Sequence, residues 1–294
     1  QFWIYSKWRP QRAFDKNKFN IHFNFGYKLA LSALLDIVFQ NIYTVLIGRF
    51  FNTTQLGYYN KANSMQQLPV TSLTGPLNRV TYPLFSKIQD NNDRLKEVYK
   101  KLMKMVIFIV APLLTVLGVL GEPLFRFLFT EKWLPAVPYF QILCITGILL
   151  PIHSYNLNVL KVKGRSDLFL KLEIIKKILI VISVGISLPF GIIGLLWGKV
   201  ATSVIALFIN CHYSGKFLKY NLWKQMSDLL PSIFLSIIMG GGTLLLDTAL
   251  LTELSDLLRL LAGGGFAIFS YIILAKLFRY EELITVKEIL FRKK

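Results

Sequence analysis

The sequence predicts an all-α polytopic membrane protein, a helical bundle of about eight transmembrane helices. Three observations carry this prediction. Of the 294 residues, 54% are hydrophobic and the mean hydropathy is +0.50, more apolar than an ordinary soluble domain. The excess is gathered into runs of about 20 residues with few charges, the length a bilayer core demands of a helix. The basic residues lie between these runs in an alternating pattern, and such alternation marks the cytoplasmic side of membrane proteins.

Taken in order, the spans are expected at roughly 25–50, 57–84, 104–128, 134–158, 168–189, 191–212, 229–249 and 257–277. The second is the weakest by hydropathy. It carries Pro69, Pro76 and Pro83 and many amides, which a membrane helix tolerates where neighbours or water satisfy the freed backbone groups. Every second connection is basic, beginning with the N-terminal stretch. Residues 1–28, 85–104, 159–177, 213–228 and 276–294, which are these stretches together with the basic residues at the adjoining span ends, hold 27 of the 34 Lys and Arg residues. The other seven are Arg49, Lys61, Arg79, Arg126, Lys132, Lys199 and Arg259. This division predicts both termini in the cytoplasm, because the Lys/Arg bias sets orientation. The opposite connections, at 51–56, 121–135, 189–191 and 250–256, are too short to hold a soluble domain.

The formal charge of +18 does not point to nucleic acid, since the basic residues form no stripe on a soluble surface. Cys144 and Cys211 have no metal or redox spacing and read as small buried residues. His153 falls near the inner end of the fourth span and reads as a packed or interfacial histidine, with an acyltransfer base as the alternative. Asp90, Asp93 and Glu97 lie in a lysine-rich linker and read as solvated charges rather than metal ligands. No Gly-rich phosphate loop occurs, and no cofactor is expected. The chain opens Gln1-Phe2-Trp3 without methionine, which suggests a fragment.

Two polar stripes stand out. In the first span Ser32, Asp36, Gln40 and Tyr43 recur every three or four residues, on one helix face. In the second, Asn60, Asn63, Gln67, Thr71, Thr74 and Asn78 share an arc of roughly 80°. Lys61 and Arg79, five turns apart, share a second line beside it. Polar groups in spans face a bundle interior or a watery cavity, so the first two helices are expected to line a hydrophilic, partly cationic cavity. The alternative is that the amides join helices. Asp36 is a candidate proton or cation site, or else the partner of a nearby Lys or Arg. Lys199 is expected to snorkel, Arg126 and Lys132 to anchor at the outer interface beside Trp133, and Lys176 and Lys177 to lie near the inner headgroups.

Several segments carry a resemblance. They are Leu46-Ile47-Gly48-Arg49, Gln55-Leu56-Gly57-Tyr58-Tyr59-Asn60-Lys61-Ala62, Val80-Thr81-Tyr82-Pro83-Leu84-Phe85-Ser86-Lys87-Ile88-Gln89, Glu131-Lys132-Trp133-Leu134-Pro135-Ala136, Asn156-Leu157-Asn158-Val159-Leu160 running into Gly164-Arg165-Ser166-Asp167, and Gly191-Ile192-Ile193-Gly194-Leu195. In this order and spacing the chain resembles the C-terminal part of the Wzx-type polysaccharide flippases, within the superfamily of multidrug and oligosaccharidyl-lipid exporters. The resemblance implies one lobe of a MATE-like exporter plus two extra helices: an inter-lobe cytoplasmic segment at 1–24, a six-helix lobe at 25–213, and two additional helices with a basic tail at 214–294. It implies a transporter, not an enzyme, in the bacterial plasma membrane. The cargo would be an undecaprenyl-diphosphate-linked oligosaccharide, moved by cation-coupled alternating access. The partners implied are that lipid-linked oligosaccharide, membrane lipids and a first lobe outside this chain. Lys61 and Arg79 would attract the diphosphate, with Asp36 compensating them between visits, and the amides would meet sugar hydroxyls. A drug or small-lipid exporter, a membrane glycosyl- or acyltransferase, and a purely structural membrane subunit are the competing readings.

The orientation is testable in intact cells with a membrane-impermeant thiol reagent. Cysteines placed at Thr53 and Glu253 are expected to be labelled from outside and one at Asn91 to be protected; labelling at Asn91 would overturn the topology.

Overall fold

In hydrocarbon a chain can satisfy its own N–H and C=O groups only as helices or a closed barrel, and every long apolar run here is helical. The computed structural model describes residues 14–284. Most of the expected inter-lobe segment, with Lys7, Arg9 and Arg12, and the tail residues Lys287, Arg292, Lys293 and Lys294 lie outside the described residues. The helices are α1 (Lys16–Gln40), α2 (Ile42–Phe50), α3 (Thr53–Lys87), α4 (Asn92–Val119), α5 (Gly121–Phe129), α6 (Val137–Val162), α7 (Ser166–Ser187), α8 (Gly191–Leu218), α9 (Leu222–Leu246) and α10 (Asp256–Leu277). Short 3-10 turns at Glu131–Ala136 and Leu188–Phe190 precede α6 and α8, and a π-helical turn at Asp247–Leu251 extends α9.

The helices overrun the apolar segments because polar caps set their ends. The Asp15 side chain accepts from the N–H groups of Asn17 and Lys18 at 2.9 and 3.1 Å, so α1 starts at Lys16 rather than near 25. Asn52, Asn91 and Asn221 cap α3, α4 and α9 in the same way, at 2.8–3.0 Å, as N-cap amides do. The first expected span is two pieces, broken at Asn41.

Among the described residues, six helical segments are long and apolar enough to cross a membrane. They differ from the eight expected spans in two places. The segment Ser166–Leu218 contains both α7 and α8, which pack on each other across the turn where Gly191 takes φ 74°. The amide- and proline-rich α3 is long enough at 35 residues but not apolar enough.

α6 is the central helix and packs against α3, α4 and α8. α4 carries α9, which carries α10; α8 carries α7, which carries α1. Small residues allow the closest crossings, as expected where lipid gives helices no hydrophobic drive to associate. A Cβ on Gly147 would fall 2.7 Å from Leu114 Cδ1, and one on Gly240 would fall 2.4 Å from Thr115 Cγ2.

Polar bonds then fix which helices meet. The Tyr99 hydroxyl (α4) lies 2.9 Å from Asn156 Oδ1 (α6) and 3.1 Å from Gln225 Oε1 (α9). Ser214 Oγ (α8) donates to the same Asn156 oxygen. Asn156 Nδ2 donates to the Ile152 carbonyl at 2.8 Å, and Gln225 Nε2 to the carbonyls of Tyr220 and Cys211 at 2.9 and 3.2 Å. At the opposite end of α9, Arg259 of α10 makes two bonds to Asp247 at 2.9 and 2.7 Å, with both side chains buried. Arg126, expected as an interfacial anchor, pairs with Glu122 and reaches Asp256 at 3.4 Å.

Truncating one member of a buried pair strands the other charge. Arg259→Ala is therefore expected to cost roughly 3–5 kcal/mol, visible as a lower thermal midpoint in detergent. Replacing Asp247 and Arg259 together by leucine should recover most of it. A melting point unchanged in Arg259→Ala would show that the pair does not hold α10.

Candidate functional site

α3 has two unlike faces. Tyr59, Ala62, Gln66, Val70 and Phe85 are buried on the side that packs against α6. On the other side Asn60, Gln67, Thr71 and Arg79 are exposed, while Lys61, Asn63, Thr74 and Asn78 are half-buried. The helical period is the cause: the middle of the amide and hydroxyl stripe falls on an arc that α6 does not cover, while Asn78 at its end reaches α6.

The stripe divides by function. Asn60 Oδ1 accepts from Thr44 of α2 at 3.3 Å, and Asn78 Oδ1 accepts from Ser154 and Asn158 of α6 at 3.1 and 3.3 Å. These two amides join helices. The hydroxyls of Thr71 and Thr74 donate to the carbonyls of Gln67 and Val70 at 2.9 and 2.8 Å. Among the described residues, the side chains of Asn63, Gln67 and Arg79 make no hydrogen bond or ion pair. Lys61 instead lies over aromatic rings, 3.9 Å from the Phe129 centroid and 5.0 Å from that of Trp133, a cation–π arrangement.

The prolines add acceptors that the sequence reading left out. Pro69, Pro76 and Pro83 are spaced seven apart inside α3. A proline has no N–H to give to the carbonyl four residues before it, so the carbonyls of Met65, Ser72 and Arg79 lose their usual donor. By helical phase they fall on the line of Lys61 and Arg79.

The stripe of α1 goes elsewhere. α1 packs on α7, and no substantial packing joins α1 to α3 among the described residues. Ser32 is buried and donates to the Lys28 carbonyl at 2.8 Å. Asp36 pairs with Lys177 of α7 at 2.5 Å. Gln40 is exposed and Tyr43 is buried. The structure therefore differs from the expected shared lining: Ser32, Asp36 and Tyr43 are engaged by their own bundle. Asp36 is not placed to compensate Lys61 or Arg79.

Lys177 does not sit free among headgroups. It also reaches Glu173 at 3.3 Å, and Lys176 bonds to Glu173 as well. Glu173 is almost fully buried, and His153 nearby is held by Ser203 and Asn210 at 3.1 Å each. The i,i+3 and i,i+4 spacing of Glu173 to the two lysines was the available signal. Lys199 does not snorkel outward: its ammonium lies 5.1 and 5.9 Å from the rings of Tyr43 and Tyr59. Among the described residues no three His, Cys, Asp or Glu side chains come together to hold a metal ion.

If water reaches the uncovered face of α3, a charged thiol reagent should modify Gln67→Cys and Thr71→Cys quickly and leave Val70→Cys, on the buried face, unmodified. Slow reaction at Gln67 and Thr71 would mean that lipid or protein covers the stripe.

Residues 1–138 match the protein family described as "Polysaccharide biosynthesis protein". The teichuronic acid biosynthesis protein TuaB of Bacillus subtilis is 30% identical over 235 residues, covering 80% of this chain and 49% of that protein. The lipopolysaccharide biosynthesis protein WzxC of Escherichia coli is 26% identical over 242 residues, 79% of this chain and 49% of that protein. The succinoglycan biosynthesis transport protein ExoT of Rhizobium meliloti is 22% identical over 151 residues, 51% of this chain and 31% of that protein. The chain thus spans about half the length of TuaB or WzxC. No solved structure matches it.

Proposed function

We propose, for a chain that is by sequence a relative of the Wzx-type polysaccharide flippases, that it forms one half of a transporter carrying lipid-linked oligosaccharide across the bacterial plasma membrane. The cargo class is an undecaprenyl-diphosphate-linked repeat unit, and the movement is alternating access between two helical lobes. Both termini lie in the cytoplasm, in keeping with the division of basic residues.

One observation carries this reading: the side of α3 that α6 leaves uncovered is polar, with Asn63 and Gln67 unengaged in its first half and Arg79, twelve residues or more further along the helix, exposed and without a partner among the described residues. A charge and two amides facing lipid would be costly. A second six-helix lobe set across this face turns the cost into a hydrophilic cavity. In that cavity the guanidinium of Arg79 meets the diphosphate with two parallel bonds, and the amides and proline-freed carbonyls meet sugar hydroxyls. Lys61 offers its charge from the aromatic shelf of Phe129 and Trp133.

Asp36 serves coupling in this scheme. A coupling cation enters by displacing the Lys177 ammonium, which loosens α1 from α7. A drug exporter for organic cations would want carboxylates and aromatic rings on the open face, and α3 presents an arginine and amides there. An intramembrane transferase would want a carboxylate or histidine on that face. His153 is instead held between Ser203 and Asn210.

In cells that depend on this protein for surface polysaccharide, Arg79→Ala should lower export by about tenfold or more, the worth of a charge-assisted contact, at unchanged abundance in the membrane. Lys61→Ala should lower it as well, and Arg79→Lys should keep part of the activity, since a point charge still attracts phosphate without the guanidinium fork. Normal export by Arg79→Ala would remove Arg79 from the substrate path. Loss of the protein from the membrane would make Arg79 structural.

A further inference from the structure

The connection between α8 and α9 carries a feature that the transport reading leaves unused. A cavity of about 310 Å³ opens there, lined by His212, Lys216, Lys219, Asn221, Leu222 and Lys224 together with Gly215. Three ammonium groups and an imidazole border it, and no carboxylate does.

Three like charges around one hollow raise the positive potential there, and an anion among them would be favoured. Among the described residues the protein supplies none at this hollow. The carboxylate nearest in sequence, Asp228, is taken by Lys100 at 2.9 Å and by the Tyr220 hydroxyl. Among the described residues, Lys219 and Lys224 have no partner for their ammonium groups, and Lys216 has only the Tyr213 ring, 5.7 Å away. The backbone keeps the three lysines together. α8 ends at Leu218, Lys219 takes the left-handed conformation with φ 49°, and α9 begins at Leu222. Asn221 already caps the first turn of α9 through the Lys224 N–H, so the side chains, not the helix end, make the cavity cationic.

The surroundings belong to a membrane interface. Trp223 is 74% exposed beside the cavity, and tryptophan collects at the headgroup level. Leu222, in the lining, adds an apolar wall. Lys96 of α4 lies 6.0 Å from the Tyr220 ring, so the basic start of α4 shares this face.

We propose that the hollow between α8 and α9 is a binding site for the headgroup of an anionic phospholipid, its phosphate held by Lys216, Lys219 and Lys224 and its acyl chains lying along Leu222 and Trp223. Basic pockets between transmembrane helices hold such headgroups. The site is separate from the open face of α3, and the proposal holds whatever the cargo is.

The test uses the detergent-solubilised protein and native mass spectrometry, with dioleoyl phosphatidylglycerol as probe and dioleoyl phosphatidylcholine as the zwitterionic control. The unaltered protein should retain phosphatidylglycerol in preference to phosphatidylcholine, and rising salt should weaken only the former. The triple variant Lys216→Gln, Lys219→Gln, Lys224→Gln should lose one bound phosphatidylglycerol, with affinity lower by about tenfold or more. A variant with the same charge loss elsewhere, Lys16→Gln, Lys87→Gln, Lys171→Gln, should retain it. Equal loss in both variants would reduce the effect to diffuse surface charge and overturn the proposal, as would full retention in the first. Displacement of the lipid by millimolar inorganic phosphate would also overturn it, by showing a site for the free ion. If the triple variant does not fold, Lys216→Gln with Lys224→Gln leaves the left-handed position intact and should still lower the affinity severalfold; no change there would overturn the proposal.

Discussion

The bundle depends on the hydrogen bonds that converge on Asn156. In lipid, apolar side chains gain nothing by meeting each other rather than acyl chains, so packing and polar bonds choose the neighbours. Asn156 collects Tyr99 from α4 and Ser214 from α8, while Gln225 of α9 joins through Tyr99. Four helices are tied at one buried point. α3 is placed beside this knot mainly by packing on α6, with smaller contacts to α2, α4 and the 3-10 turn before α6, and α1 and α7 are carried outward by α8. The open face of α3 is thus a by-product of which face of α6 the knot leaves free.

Within α3 the same residue types do two jobs, and geometry separates them. Asn60 and Asn78 spend their oxygens on neighbouring helices, whereas Asn63 and Gln67 lie between them with no hydrogen-bond partner among the described residues. The two joining amides sit toward the ends of the stripe and the unengaged ones toward its middle. An amide-rich span can therefore be both glue and lining, and the two readings of such a stripe need not exclude each other.

Much of this was legible in the sequence, for definable reasons. Apolar run length and the basic connections located the helices, since a bilayer acts on both. The phase of Asn60 through Asn78 was readable from the 3.6-residue period. What a period cannot supply is the neighbour. It put Asp36 on a polar face without naming Lys177, and placed Lys199 near an interface without naming Tyr43 and Tyr59, because those partners lie far away in sequence. Helix starts were missed where apolar content alone was weighed. Asp15, Asn52 and Asn91 stand in the sequence as capping residues, and they set α1, α3 and α4 several residues earlier than hydropathy did.

The proline line of α3 has a mechanical meaning. Each missing hydrogen bond removes a brace against bending at one azimuth, and a heptad step rotates that azimuth by only about 20°. Pro69, Pro76 and Pro83 therefore weaken the helix nearly in one plane. α3 behaves less like a rod than like a flat spring, compliant in one direction and stiff at right angles to it. Small changes of curvature at three hinges in series add along its 35 residues. The soft plane is set by the same azimuth that carries Arg79, so a force applied at that guanidinium acts on the helix where it yields most.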